Sequence, residues 1–207
     1  MTELLQLNPD ELLTTTRSVR KRLDLEKPVP LEIVHECLEI ALQAPSGSNS
    51  QGWQWIVLTD PDLKQQVAEH YARSYADYAA SRPHSDDATM ARVRSSAQYL
   101  ADVMGQVPVL VLGAIDLGGD LPAGNQASIW GSLLPAAWNF SLALRARGLG
   151  SAWTTLHLVY EREVAELLGI PATVHQGVLL PVAWTKGTDF KPAPRQPLDT
   201  VLHINGW

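Results

Sequence analysis

Apolar and polar positions along this chain fall into blocks of distinct period, and the blocks predict its elements. Asn8, Pro9, Asp10 and Glu11 form a helix start: a side-chain cap, a first-turn proline, and acids at the positive end of the dipole. That helix runs toward Thr16. Ile33, Val34, Cys37, Leu38, Ala41 and Leu42 recur at helical spacing and predict a second helix, between the break at Pro28-Val29-Pro30 and Pro45. Trp53 to Leu58 is a strand by composition, and Asp60-Pro61-Asp62 opens another helix by the same capping logic. From His70 to about Gly105 the pattern turns polar and aromatic, with Tyr71, Tyr75, Tyr78, Arg82, Pro83 and His84. This segment reads as a helical excursion or mobile cover over a site, not as part of the core. Pro108 to Ile115 is an unbroken apolar run and hence a buried strand. After a loop containing Gly118, Gly119, Pro122 and Gly124, Ala127 to Arg147 is a long helix, apolar over most of its girth and capped by Gly148. Such a helix must be covered on nearly every face, and a second subunit is a natural cover in a chain this small. A short helix over Glu161–Leu168 and a strand over Gly177–Trp184 follow. The tail from Lys191 to Trp207 is proline-rich and then briefly strand-like. Helices and strands mix without regular βαβ alternation, which favours the α+β class.

At 207 residues the chain predicts a single domain that buries roughly 70–75% of its unfolded surface. Hydrophobic residues make up 45% and charged residues 18%, a globular composition with a surface sparse enough in charge to accommodate a partner subunit. A net charge of −6 argues against a nucleic-acid partner, whose phosphates would demand an excess of Lys and Arg. No apolar run is long enough to cross a membrane. The start, Met1-Thr2-Glu3-Leu4, has no basic region leading into an apolar stretch, so a cytoplasmic location is expected. The one cysteine, Cys37, sits among Val34, Leu38 and Ala41 and reads as a buried, inert thiol.

Candidate chemistry concentrates in two places. Pro45-Ser46-Gly47-Ser48-Asn49-Ser50-Gln51-Gly52 is a run of small and amide residues, longer than a plain turn between a helix and a strand requires. Its backbone N–H groups, hydroxyls and carboxamides suit the edge of a flat polar ligand. Arg17-Ser18-Val19-Arg20-Lys21-Arg22 either complements the negative end of the first helix or holds a phosphate. Together the two suggest a phosphorylated aromatic cofactor. Gly148-Leu149-Gly150 follows a helix and lacks a third glycine, so it is a helix cap and not a dinucleotide fingerprint. Trp153-Thr154-Thr155 places two hydroxyls at a strand end. The six histidines show no metal-binding spacing, and no serine-nucleophile or Walker motif occurs, so no metal is expected.

In order along the chain, these segments resemble the nitroreductase family of FMN-dependent flavoproteins. The resemblance rests on Arg17-Ser18-Val19-Arg20, the Pro45–Trp53 loop, Gly148-Leu149-Gly150-Ser151, and Pro181-Val182-Ala183-Trp184 with the late Arg195. It spans about Thr14 to the C-terminus. Thr16 stands where many relatives carry a further basic residue, Gly52 where they carry proline, and Ala183-Trp184 where they carry Gly-Tyr.

The resemblance implies one nitroreductase-like domain over residues 1–207, with a mainly antiparallel sheet flanked by helices. It implies an intertwined homodimer with FMN at the subunit interface, residues 70–105 as a helical cover, and residues 186–207 as a tail embracing the partner. It implies that Arg17, Ser18 and Arg195 hold the FMN phosphate, with Val19 between them and Arg20, and that Arg20 reaches the N1/O2 side of the flavin. Pro45, Ser46, Gly47, Ser48, Asn49 and Gln51 would line ring and ribityl chain from the other subunit. Trp153, Thr154 and Thr155 would lie near the N5/O4 edge. NAD(P)H would be the co-substrate, passing hydride to flavin N5 in a ping-pong cycle, with a nitroaromatic, quinone or similar small aromatic as acceptor. No protein side chain is needed as catalytic acid or base. The tyrosines of 70–105 are candidates for acceptor selection. Two alternatives stay open. One is reductive dehalogenation, since relatives with a Thr-Thr pair include dehalogenases and Thr155 would favour one-electron steps. The other is flavin sequestration or redox sensing without turnover.

Overall fold

A computed structural model describes residues 3–82 and 87–207. Six α-helices and four strands are present among them: α1 Pro9–Thr15, α2 Leu31–Ala41, β1 Trp53–Leu58, α3 Pro61–Ser81, α4 Ala88–Val103, β2 Val109–Asp116, α5 Ala127–Ala146, β3 Leu149–Ser151, α6 Glu161–Leu168 and β4 Val174–Trp184. The strands form one sheet in the order β1-β2-β4-β3, every neighbouring pair antiparallel.

The predicted starts and stops are carried by identifiable atoms. Asn8 Oδ1 accepts from the Glu11 N–H at 2.9 Å while the Glu11 carboxylate accepts from the Asn8 N–H at 2.8 Å, a reciprocal cap on α1. Asp60 Oδ1 accepts from the N–H groups of Asp62 and Leu63 and starts α3. Gly148, at φ 77°, turns the chain out of α5 in the left-handed region that glycine tolerates without cost.

β2 reads as a continuous apolar run because both faces of the sheet are covered. Leu110, Leu112 and Ala114, with Leu179 and Ala183 of β4, pack against Tyr71, Tyr75 and Leu100 of α3 and α4. Val109 and Val111, with Val178, Leu180 and Val182, pack against Val34 and Cys37 of α2 and Phe140 and Leu144 of α5. This alternation puts α2 and α5 on one face and α3 and α4 on the other. Cys37 is fully buried, and burial raises its pKa to about 11, which leaves an inert thiol.

Three expectations change. Segment 70–105 is helical as predicted, but it is not excluded from the core: Tyr71, Tyr75, Leu100 and Ala101 are buried against the sheet, and only its outer face is polar. Pro83 and His84 lie outside the described residues. The last strand begins at Val174, three residues earlier than its apolar run. The tail contains no strand; Leu198–Thr200 is a single 3-10 turn. Pro192, Pro194 and Pro197 remove ladder donors, and the edge of β3 is already taken by residues 18–23 through the Ser18–Ser151 bridge.

On its outer side α5 is only partly covered. Gly131, Leu134, Pro135, Trp138 and Leu142 form a stripe at helical spacing, with Trp138 38% exposed. Leu198, Val201, Leu202, Ile204 and Trp207 of the tail are also exposed. No helix among the described residues is long and apolar enough to cross a membrane.

Candidate functional site

The basic segment is a strand-like rail along the sheet edge. The Val19 N–H donates to the Ser151 carbonyl at 2.8 Å and the Asp24 N–H to that of Trp184 at 2.8 Å. Gly150 makes this possible: a Cβ there would lie 2.7 Å from Thr185 Cγ2 and 3.0 Å from Val19 Cβ. With Val19 buried as the anchor, Arg17 and Ser18 stay exposed and Arg20 turns inward. Arg17 Nη1 donates to the Lys191 carbonyl at 2.8 Å, and Ser18 Oγ accepts from the Trp153 N–H at 3.4 Å. Lys21 Nζ donates to Ser95 Oγ of α4 at 2.7 Å and ties the rail to the cover. Arg22 pairs with Asp189 at 2.6 Å, so it is used structurally.

Arg20 opens onto a cavity of about 490 Å³. Trp153, Thr154, Thr155 and Leu156 form its floor with Arg20; Tyr71, Tyr75, Tyr78, Ala79 and Arg82 of α3 and Met90, Val93, Arg94 and Ala97 of α4 form its roof. The Arg20 Nε is buried and has no hydrogen-bond partner among the described residues. Thr154 is spent on the fold: its Oγ1 donates to the Leu179 carbonyl at 2.6 Å. Thr155 is exposed into the cavity floor. Burial pushes the Tyr71 phenol up to about 12, against the opposing pull of nearby Arg20. Tyr75 is also raised, mainly by burial, and its O–H donates to the Arg94 carbonyl at 3.2 Å. Both tyrosines are therefore neutral phenols at physiological pH.

The loop predicted to line the ring lies elsewhere. Pro45–Gln51 packs on the N-terminal half of α5, where the Gly47 N–H donates to Ser132 Oγ at 2.9 Å and Trp53 Nε1 donates to the Ser132 carbonyl at 2.8 Å. Ser48, Asn49 and Gln51 all have positive φ, at 52°, 55° and 51°. Each non-glycine residue held there costs on the order of 1 kcal/mol, and such strain clusters at ligand-binding loops. Gly52 is fixed by its neighbour: a Cβ would lie 2.7 Å from the Asp116 carbonyl oxygen.

The sheet sets the separation between loop and rail. Trp53 pairs through Ile115 with His175, whereas Ser151 pairs with Val182. The two points are three strand spacings apart, about 14 Å, and seven residues apart along β4, about 24 Å. One chain therefore brings together Arg20 with Trp153, Thr154 and Thr155, and leaves Pro45–Gln51 remote from them. Arg195 is exposed and donates to the neighbouring Pro194 carbonyl at 3.2 Å; among the described residues no hydrogen bond or ion pair joins it to Arg17 or Ser18.

Sequence reasoning missed Ser132, which fastens the strained loop, and Arg145, which is buried and donates to Thr15 Oγ1 at 3.2 Å and the Thr188 carbonyl at 3.0 Å beneath the rail. Both lie in the helix read as apolar over most of its girth. Met90, Val93 and Ala97 were signalled only by their spacing of three and four.

Comparison with known proteins identifies the family. The family model described as "Nitroreductase family" matches residues 13–184. Iodotyrosine deiodinase 1 of Rattus norvegicus is 27% identical over 200 residues, covering 93% of this chain and 67% of that protein. Iodotyrosine deiodinase of Thermotoga neapolitana is 28% identical over 190 residues, covering 92% and 94%. A solved structure of oxidized iodotyrosine deiodinase bound to FMN and 3-iodo-L-tyrosine superposes with a TM-score of 0.72 at 28% identity, covering 94% of this chain and 98% of that one. The matched region runs from the end of α1 through the rail, the strained loop and the cavity floor to the end of β4, and the chain belongs to the nitroreductase family.

Proposed function

We propose that this chain is an FMN-dependent oxidoreductase, active as a homodimer, that delivers reducing equivalents to a small aromatic acceptor bound beneath α3 and α4. Bound FMN supplies the redox chemistry, accepting two electrons from NAD(P)H and yielding them to the acceptor.

The observation that carries this reading is the buried, unpartnered Arg20 Nε beside the Trp153–Thr155 strip. A buried guanidinium donor left unsatisfied is costly, and an anionic or carbonyl edge of a ligand relieves it. The residues present fit FMN: Arg17 and Ser18 stand exposed and would hold its phosphate, while Arg20 and Thr155 would offer hydrogen bonds to the polar edges of its ring. Because one chain holds Pro45–Gln51 far from its own Arg20, that loop serves the site of the partner subunit. The partly covered stripe on α5 and the exposed apolar tail supply the surface for such a dimer. Tyr71, Tyr75 and Tyr78 roof the acceptor and exclude water.

Reductive dehalogenation of a halophenol is the second reading, favoured by the deiodinase relatives and by Thr155 at the floor. Two electrons and a proton would replace a carbon–halogen bond by carbon–hydrogen and release halide.

Steady-state oxidation of NADPH or NADH by the FMN-loaded protein, with a nitroaromatic, a quinone or an iodophenol as acceptor, tests the reading. Acceptor-dependent oxidation supports it, and iodide release supports the second form. FMN binding with no turnover of any acceptor by nicotinamide or dithionite would assign the protein to flavin storage or sensing instead.

A further inference from the structure

We propose that Arg145 is a positioning residue for the cofactor phosphate: its hydrogen bonds fasten the two segments that flank Arg17, and its buried charge favours a dianion there. The inference rests on the reading of Arg17 and Ser18 as the phosphate site, and it adds a residue that touches no ligand.

Arg145 lies in the last turn of α5 and is only 5% exposed. A guanidinium stays protonated even when buried. Its Nη2 donates to Thr15 Oγ1 at 3.2 Å and to the Thr188 carbonyl at 3.0 Å. Its Nε and Nη1 are buried without a hydrogen-bond partner among the described residues. Nor does a described carboxylate pair with it. Asp189, next after Thr188, is taken by Arg22 at 2.6 Å. Arg22 rests over the Phe190 ring at 4.2 Å and Arg145 over the same ring at 4.9 Å. Two guanidiniums thus share one ring and one carboxylate, and one positive charge is left over. A buried charge without a counter-charge is costly, and an anionic group brought close by a ligand offsets that cost.

The contacts of Arg145 converge on Arg17. Thr15 precedes Arg17 by two residues, at most about 7 Å of chain. Thr188 precedes Lys191 by three, and the Lys191 carbonyl accepts from Arg17 Nη1 at 2.8 Å. Arg145 therefore anchors the approach to Arg17 and the stretch of tail that Arg17 grips. Thr16, between them, brings no charge, and its hydroxyl donates to the Leu12 carbonyl at 2.6 Å. With its nitrogens covered, Arg145 acts on a phosphate through the protein interior, where charges are screened less than in water.

Titration of the flavin-free full chain with FMN and with riboflavin, which differ only in the phosphate, tests this by flavin fluorescence. Arg145→Met keeps most of the bulk and removes the charge. It should raise the Kd for FMN about tenfold and leave that for riboflavin unchanged, so that selectivity between them falls about tenfold. Arg145→Gln keeps a donor for Thr15 and Thr188 without the charge and should lose the same selectivity; it reads the same ratio if the methionine variant does not fold. Arg145→Lys keeps a charge and should hold the selectivity within about threefold of the unaltered chain. A merely structural Arg145 would weaken both flavins alike. Equal shifts for FMN and riboflavin, no shift for either, or a lysine variant as unselective as the methionine one overturns the proposal and leaves the flavoenzyme reading intact. Failure of the unaltered chain to take up FMN overturns that reading, and this one with it.

Discussion

Replacing Arg20 with methionine should move flavin affinity and the stability of the flavin-free chain in opposite directions. Methionine keeps most of the aliphatic stem and removes the buried Nε donor that has no partner among the described residues. An unsatisfied buried donor costs about 1–3 kcal/mol, so its removal should leave the flavin-free chain as stable as before or about 1 kcal/mol more stable. The same donor, given an acceptor on a ligand, makes a charge-assisted bond worth about 1.5–3 kcal/mol. Losing it should raise the Kd for FMN about 10- to 150-fold. Urea unfolding of flavin-free protein measures the first quantity, and quenching of flavin fluorescence on titration measures the second. A large loss of stability with FMN affinity intact would refute the reasoning and make Arg20 a structural residue.

Four other outcomes follow from named contacts. Burial lowers the His157 pKa to about 4 from its ordinary 6.5, and neither ring nitrogen has a partner among the described residues. The folded state then refuses a proton that the unfolded state accepts, so stability should fall as pH drops from 6.5 toward 4. The loss is about 2 kcal/mol between pH 7 and 5 in urea unfolding, and His157→Leu should abolish that slope. Gly150→Ala forces a methyl into Thr185 and Val19 and should cost about 1–3 kcal/mol of unfolding free energy, weakening FMN binding because the rail shifts with Val19. Trp138→Glu, on the partly covered stripe of α5, should convert a dimer into monomers by light scattering and strip the flavin with it. Tyr78→Ala removes an exposed roof side chain and should alter acceptor KM while flavin content stays constant; loss of flavin would place Tyr78 in the cofactor site instead.

Much of this fold was legible because its signals are local. The Asn8–Glu11 cap, the Asp60 cap, the turn at Gly148 and the apolar run of β2 each announce an element through a few adjacent residues, and each appears where expected. The candidate site was legible in composition but not in assembly. Arg17–Arg20 and Trp153–Thr155, far apart in sequence, meet because Ser18 and Val19 bind the end of β3, a pairing that no periodicity encodes. The strain at Ser48, Asn49 and Gln51 was equally silent, since these residue types occupy ordinary loops as readily as left-handed ones. Segment 70–105 misled for a physical reason: Tyr71 and Tyr75 carry polar tips on large apolar bodies, and the bodies are what the sheet buries. Arg145 misled in the opposite sense, as a charge buried within the last turn of an apolar helix.

Native mass spectrometry of the purified protein decides whether paired chains hold the cofactor between them. The account predicts a dimer of the 22.7 kDa chain carrying one FMN per subunit, with flavin leaving as the dimer separates. A monomer that retains FMN, or a stable dimer that takes up none when FMN is supplied, would contradict it.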